Sequence, residues 1–524
     1  MMKKALASLM SVLLLFPLIF HTDASALPNG KAKGLEGRGI WLTPGYFMEK
    51  PEDAVRAVNE IADAGFNIIF LEVNRHGYAE YDSEIIPVLD PFTEFDPAQL
   101  VLEQAKKRGL EVHAYFHALS NPRLAAERPE WAMERVDENA KKAVVNGEFS
   151  RRIGGINTSR PSNQLILYTP EHGETTGTNM YGAEVIVEDG IVVEIIDYVG
   201  NARIPKNGFV LSGTGSVRFW LRDEIKIGDV ITIEDAEKAI VASTQWLEPG
   251  NEEVIAELKR HVTEILTKYD FDGFHLDHVR YPPTDGMTEI IFDYILRGNP
   301  PQWSTDVYGY SEENRAKFKS LYGVDPIDIT VEDEDMFLKW WDFRSDIITN
   351  FVTELADHAR SINEDLVISA ALTVRPAYDD WDQMYSGVDY KKLSYPLDVV
   401  IPMAYHLNAG EAEFLFPGNR VQWIDHVAKG ALANIGERAM LYMGIGGSSA
   451  VHEQWTPDVW NQTIETARHA GAHGTVAFEY IVITHHSGDL TNFHSLAEES
   501  YAQPAKPMHS VPGFLKQVRR NSGY

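Results

Sequence analysis

The stretch Phe271-Asp272-Gly273-Phe274-His275-Leu276-Asp277-His278 decides how this chain folds. Read as a strand, it sends Phe274 and Leu276 to one face and Gly273, His275 and Asp277 to the other. The apolar pair predicts contact with covering helices. The second face predicts an enclosed lumen, with Asp277 nearest its mouth. Seven further short apolar runs carry strand character: Gly39–Thr43, Asn67–Val73, Glu111–Leu119, Val367–Leu372, Asp398–Tyr405, Met440–Gly446 and Gly474–Ile483. Amphipathic helices at Asp53–Ala64, Asp96–Arg108, Asn251–Lys268 and Pro457–Ala470 alternate with them. Asp96-Pro97 supplies an N-cap followed by proline at the first helical position, and Gly65, Gly109 and Gly471 stand where helices end. Eight strands alternating with helices predict an α/β chain closed as a (β/α)8 TIM barrel. A doubly wound open sheet is the alternative.

Between the third and fourth strands the rhythm changes. Leu165–Tyr168, Ala183–Glu188, Ile191–Ile196, Phe209–Ser212 and Val230–Glu234 are short alternating runs separated by Asp189-Gly190, Asn207-Gly208 and Ile227-Gly228-Asp229. This is hairpin chemistry, so an all-β domain inserted between strands three and four is expected. The resulting organisation is an export signal at 1–26, the first part of the barrel at 27–155, the β-domain at 156–237, the rest of the barrel at 238–500 and a frayed tail at 501–524. Asp333 to Asp335 read as a solvated helix start rather than a calcium loop.

Lys3 and Lys4, the apolar run Ala5 to Phe20 and Ala24-Ser25-Ala26 form a cleavable secretory signal. The protein is therefore expected outside the cytoplasm, secreted, with retention at the cell wall left open and no membrane span after cleavage. With no cysteine among 524 residues, the exported chain relies on its core rather than on disulfides. A formal net charge of −30 argues against nucleic acid or another polyanion as partner through bulk electrostatics.

Barrel enzymes work at the C-terminal ends of their strands. Asp277 is the first catalytic candidate, as nucleophile or oxocarbenium stabiliser in glycoside cleavage. Such cleavage needs a second carboxyl, and Glu479 (on the face assigned to Thr475 and Ala477) and Glu72 (on the face of Ile68 and Phe70) rank ahead of Asp380. His275, Arg280, Tyr405, His117 and Arg375 are candidates to hold substrate, with Asp380 beside them and Trp41 and Trp381 available to stack on sugar rings. No cofactor and no metal are expected. A His/Asp centre drawn from His113, His117, His275 and Asp277 is the competing use of these residues, as in a metal-dependent polysaccharide deacetylase or hydrolase.

Gly39-Ile40-Trp41-Leu42-Thr43, Gly65-Phe66-Asn67, Trp246-Leu247-Glu248-Pro249-Gly250-Asn251, Asp272 to Asp277 and Tyr281-Pro282 resemble glycosyl-hydrolase-like family 10 across most of residues 37 to 485, the insert apart. The resemblance implies an exported bacterial barrel that hydrolyses a cell-wall glycan, with denuded peptidoglycan strands as substrate, and matches Asp277 to the family's strand-four aspartate. The chain departs from it at the rim. His278 follows Asp277 in place of a second aspartate, Pro402-Met403-Ala404-Tyr405-His406 replaces Pro-Gln-x-Tyr-Trp, and Asn74-Arg75-His76-Gly77 replaces Arg-Pro. Within the insert, Leu167-Tyr168-Thr169-Pro170, Gly182-Ala183-Glu184-Val185 and Ile204 to Gly213 resemble part of the phosphodiester glycosidase family. A secreted glycoside hydrolase acting on a polysaccharide is the expectation. A carbohydrate-binding barrel that has lost catalysis is the alternative outside enzymology, and the sequence is silent on oligomeric state.

Overall fold

The computed structural model describes residues 34–133, 165–176, 183–197, 202–213, 226–233, 235–236, 246–282, 308–329, 333–379, 386–407, 410–447, 455–484 and 489–523. The expected export signal, Asp380 and Trp381 lie outside the described residues.

Eight parallel strands close on themselves: β1 (Gly37–Leu42), β2 (Ile68–Arg75), β3 (Glu111–His117), β4 (Gly273–Asp277), β5 (Val367–Leu372), β6 (Val399–Pro402), β7 (Met440–Gly446) and β8 (Gly474–Phe478). Closure is made by β1, which pairs with β8 from Gly37↔Gly474 to Ile40↔Ala477 and with β2 from Gly39↔Ile68 to Leu42↔Leu71. The fold is the expected (β/α)8 barrel. Helices Pro51–Asp63, Pro97–Arg108, Glu252–Lys268, Glu334–Ile362, Gln422–Ile435 and Pro457–Ala470 accompany the strands. Asp96 accepts from the Gln99 amide at 3.2 Å, and Gly109 and Gly471 end their helices in the left-handed region. Asp333 caps the longest helix by accepting from Met336 N at 3.2 Å, so that acidic run is a helix start.

Alternation along the strands sorts side chains into two cores. Ile40, Leu42, Ile69, Leu71, Ala114, Phe116, Phe274 and Leu276 pack outward with helix residues such as Val58, Val262 and Phe351. Trp41, Ile68, Phe70, Tyr115, Val367, Ala371, Ile401, Met440, Tyr442 and Val476 fill the lumen, which is therefore a packed core with its chemistry confined to the ends. Glycine makes room where rings crowd the axis: a Cβ on Gly39 would lie 2.5 Å from the Phe70 ring, and one on Gly273 2.5 Å from His113.

The eighth expected run does not stay extended. Its strand ends at Phe478, and Tyr480–Ile483 is a helical turn. Residues between β3 and β4 include a four-stranded antiparallel sheet, ordered Leu165–Tyr168, Gly208–Gly213, Ala183–Glu188, Ile191–Asp197, around Leu167, Val185, Val187, Phe209 and Leu211. Asp189 and Gly190 turn its hairpin at φ 52° and 79°. Among the described residues of the expected run Val230–Glu234 only Val230 bridges, to Ile191, and Glu234 lies outside them.

The tail is not frayed. Residues after Tyr501 cover the N-terminal end of the barrel and finish in a helix, Phe514–Ser522. Lys506 bridges Leu35, Asn67 donates to Ala505 O at 3.1 Å, and Arg519 gives Asp398 two hydrogen bonds of 2.9 Å. Asp398 is buried, accepts from Ile368 N at 2.9 Å and lies 3.3 Å from Arg360 Nη2, so Arg519 shares with Arg360 the neutralisation of a carboxylate fixed in the barrel floor. Removing one partner of such a group costs about 1–3 kcal/mol, against less than about 0.5 kcal/mol at a solvated end. Arg519→Ala is therefore expected to lower the unfolding free energy obtained from urea denaturation by an amount in the first range, and a change within the second would mean that the tail does not dock.

Candidate active site at the C-terminal rim

Two groups of charged side chains meet at the mouth of the barrel. The first is built on β2. Its pairing with β3 shifts register between Glu72 and Asn74, and Asn74 is turned to bond the backbone of His117, donating to its carbonyl and accepting from its amide at 2.9 Å each. Tyr78–Ala79 pairs back on Asn74 and Arg75, which returns Glu80 beside the strand end. Arg75 donates to both oxygens of Glu72, with Nε to Oε1 at 2.8 Å, and its Nε lies 3.3 Å from Glu80 Oε1. Its guanidinium lies over the Tyr46 ring, 4.2 Å from the centroid. Glu479, which stands between β8 and the turn that follows, accepts a hydrogen bond from the Thr43 hydroxyl.

Burial dominates these acids. It raises Glu72 above its ordinary pKa even though Arg75 opposes the rise. It pushes Glu80 up to about 8 against the pull of Arg75, and Glu479 up to about 7 against the Thr43 hydroxyl and Arg75. At neutral pH Glu80 and Glu479 retain protons.

The second group surrounds Asp277. The Tyr115 hydroxyl donates to Oδ2 at 2.9 Å, while the His278 amide at 2.5 Å and Arg280 Nη1 at 3.2 Å serve Oδ1. His278 has φ 56°, a left-handed turn that aims its amide back at the carboxylate. Burial opposes ionisation of Asp277, but His278, Arg280, His117 and that amide outweigh it and hold the carboxyl below the usual range. Burial, with Asp277 and Glu72, keeps the Tyr115 phenol protonated. His117 Nε2, 3.0 Å from that phenol oxygen and 3.4 Å from Glu72 Oε1, links the two groups, and burial keeps its ring neutral. Tyr405 lies where both carboxylates act: after burial, Asp277 and Glu479 are the main causes that raise its phenol. Its ring stacks on Phe478 at 4.9 Å.

The structure thus brings together Asp277, Glu479, Glu72, His117, Arg280 and Tyr405. Two of the expected substrate contacts are corrected. His275 is fully buried, accepts from Trp41 Nε1 at 3.1 Å, and has Nδ1 2.9 Å from the Ser369 hydroxyl. It is a satisfied lumen histidine, held neutral by burial with a pKa of about 3. Trp41 is 1% exposed beneath the rim and offers no sugar platform. Arg375 is engaged by Glu411, with hydrogen bonds of 3.1 and 2.7 Å. Glu479 reaches the site by a route other than the one expected. Val476 packs in the lumen and Ala477 outside, so the face assigned to Thr475 and Ala477 points away, and the break after Phe478 delivers Glu479 inward.

Sequence reasoning missed Glu80, Tyr46 and Thr43, and named Arg75 only as a departure in a loop. A basic residue closing a strand that also carries an inward glutamate was the available signal for Arg75. Glu80 depends on a two-residue strand that no periodicity announces.

The histidines named for a metal centre do not converge. His113 is level with Gly273, Tyr115 with His275 and His117 with Asp277. At about 3.3 Å per residue, His113 and His117 stand ~13 Å apart along one strand. Ligand atoms of His117, Asp277 and His278 do lie within 4.8 Å of one another. Both oxygens of Asp277 are already hydrogen-bonded, and Arg280 supplies the positive charge there.

No protein-family model matches the chain. Over 271 residues it is 23% identical to the glycosyl hydrolase DigH of Escherichia coli (strain K12), a match covering 45% of this chain and 54% of that one. The DigH of Escherichia coli O6:H1 matches with the same identity and coverage. The chain is glycosyl-hydrolase-like. It spans about half the length of these curated relatives. Among solved structures, the glycoside hydrolase domain of PgaB (BpsB) from Bordetella bronchiseptica superposes with a TM-score of 0.46 at 11% identity, covering 88% of this chain and 99% of that one.

The raised acids have a thermodynamic consequence. A buried carboxyl whose folded pKa lies above its unfolded value near 4.5 adds stability below that value, and the contribution is lost as pH rises through the folded pKa, about 8 for Glu80 and about 7 for Glu479. Glu80→Gln and Glu479→Gln are expected to flatten the fall in Tm between pH 5 and 8, each by a few degrees. Thermal melts whose pH dependence matches the parent's would show that neither carboxyl titrates this way.

Proposed function

We propose that the chain is an exported glycoside hydrolase that cleaves glycosidic bonds in a cell-wall polysaccharide, with peptidoglycan glycan strands the favoured substrate. The reading is carried by Asp277 and Glu479, carboxyls on one barrel rim driven in opposite directions, one held ionised and the other kept protonated. Glycoside cleavage needs such a pair, an acid for the leaving oxygen and a carboxylate for the anomeric carbon or its attacking water. Glu479 is the acid, oriented by Thr43. Asp277 is the nucleophile or base, aligned by Tyr115, the His278 amide and Arg280. Tyr405 and Arg280 meet the sugar, and Glu72 with Arg75 sets the field around Glu479.

The sequence similarity to DigH supports hydrolase chemistry on this barrel. The peptidoglycan substrate rests on the family resemblance of the barrel motifs, and export rests on residues 1–26. A metal-dependent hydrolase of the same glycan is a second reading, favoured only by the proximity of His117, Asp277 and His278.

The test is incubation with peptidoglycan glycan strands, stripped and unstripped of peptides, followed by mass spectrometry. Parent protein is expected to release fragments, with or without chelator. Asp277→Asn and Glu479→Gln are expected to lower the rate by about 10²–10⁴-fold while still binding strands. Binding without fragments from the parent would leave a carbohydrate-binding barrel, and loss of fragments on chelation would favour the metal reading.

The acid assignment has its own signature. With Glu479 as the proton donor, kcat/KM is expected to fall as pH rises above about 7. Thr43→Val removes a donor that favours the ionised carboxyl. A hydrogen bond to a charged group is worth about 1.5–3 kcal/mol, so the limb should move to higher pH by roughly one to two units. A limb that stays in place would remove Glu479 from the acid role.

A further inference from the structure

At the opposite end of the barrel a second cluster serves no part of this chemistry. Glu111 and His113 open β3, and His509 comes from the tail, 398 residues away from Glu111. Ligand atoms of the three lie within 4.8 Å of one another. His509 Nε2 is 2.6 Å from Glu111 Oε2, and His113 Nε2 is 3.6 Å from the same oxygen, beyond hydrogen-bond reach. The two imidazoles lie with ring centroids 6.0 Å apart and their planes tilted by 49°.

His113 is the telling member. It is 1% exposed, and neither of its ring nitrogens has a hydrogen-bond partner. A buried polar group left unpaired costs about 1–3 kcal/mol. Gly273 leaves the space that the ring occupies, since a Cβ there would meet His113 Nδ1 at 2.5 Å. His509 is already oriented through its other nitrogen, with Nδ1 3.3 Å from the Tyr442 hydroxyl, the kind of outer support that fixes a metal-binding imidazole. The rim trio differs in that its carboxylate oxygens are both occupied. On the floor, the carboxylate oxygen shared by both imidazoles is joined by a ring that has no other bond to make.

We propose that Glu111, His113 and His509 bind a divalent transition metal of the zinc class, which clips the C-terminal segment to the floor of the barrel. Two imidazoles and one carboxylate suit that class, and ligand atoms within 4.8 Å of one another reach about 2 Å from a shared ion with side-chain shifts of roughly an ångström. The ion would act on stability, because the floor is the end of the barrel away from the mouth.

The experiment uses the full chain, stripped with chelator, dialysed and titrated with zinc alone. One equivalent per chain by mass spectrometry of bound metal, with a Tm raised by several degrees, is expected. Glu111→Gln and His509→Ala should lose that equivalent and the Tm shift, whereas His117→Ala at the rim should keep both. Glu111→Gln preserves shape, so the result does not depend on His509→Ala folding well. Absence of bound zinc in the parent, or its retention by both floor variants, would overturn the proposal. So would loss in His117→Ala alone. None of these outcomes depends on glycan hydrolysis.

Discussion

Arg75 is the cation that Glu72, Glu80 and Glu479 share, and the character of the rim follows from that ratio. A buried carboxylate costs several kcal/mol in lost hydration. A cation about 4 Å away returns about 4 kcal/mol at an effective dielectric near 20. One guanidinium therefore offsets one ionised carboxylate, not three. Glu72 takes the close two-point contact, so Glu80 and Glu479 keep their protons into the neutral range. Strand β2 makes this possible, because its register shift and the short returning pair at Tyr78–Ala79 gather two acids and one base within a few residues.

Asp277 is governed by the opposite balance. Its oxygens receive a phenol, an amide and a guanidinium, and with those donors the ionised form survives burial. The two halves of the rim touch through His117, which reaches the Tyr115 oxygen and Glu72 while remaining neutral. Protonating it would add a cation beside Glu72 and weaken the excess of acid over base on which the Glu479 proton depends.

The barrel was legible because its strands obey a simple period: Phe274 and Leu276 pack outward and His275 inward, as alternation requires. The same rule placed Glu72, His117 and Asp277 correctly. It failed for Glu479, because β8 ends one residue earlier and the alternation that put Ala477 on its face no longer applies. It misjudged His275 and Trp41 for another reason. Alternation tells which face a residue takes but not its height along the axis, and these two lie one layer too deep to meet a ligand. Arg75 and Glu80 depend on a bulge and a two-residue strand, local geometry without a periodic signature. The tail was misread because its anchoring groups, Asp398, Glu111 and Asn67, belong to distant parts of the chain.

The long segment between β3 and β4 joins the barrel at the rim, beside the partners of Asp277. The barrel chain leaves at Met133 and returns at Trp246, and the two points are stitched together. Met133 N donates to Trp246 O at 2.6 Å, and Ala132 pairs with Leu247. A stem closed in this way lets a long segment enter without opening the barrel, since the loop's ends are already held and added length costs little. The same stem is part of the site. The Trp246 ring lies 5.2 Å from His278 and 5.5 Å from the guanidinium of Arg280, two of the groups that keep Asp277 ionised. A change in the stem is thus felt first by the partners of Asp277, so insertion and rim chemistry had to be accommodated together.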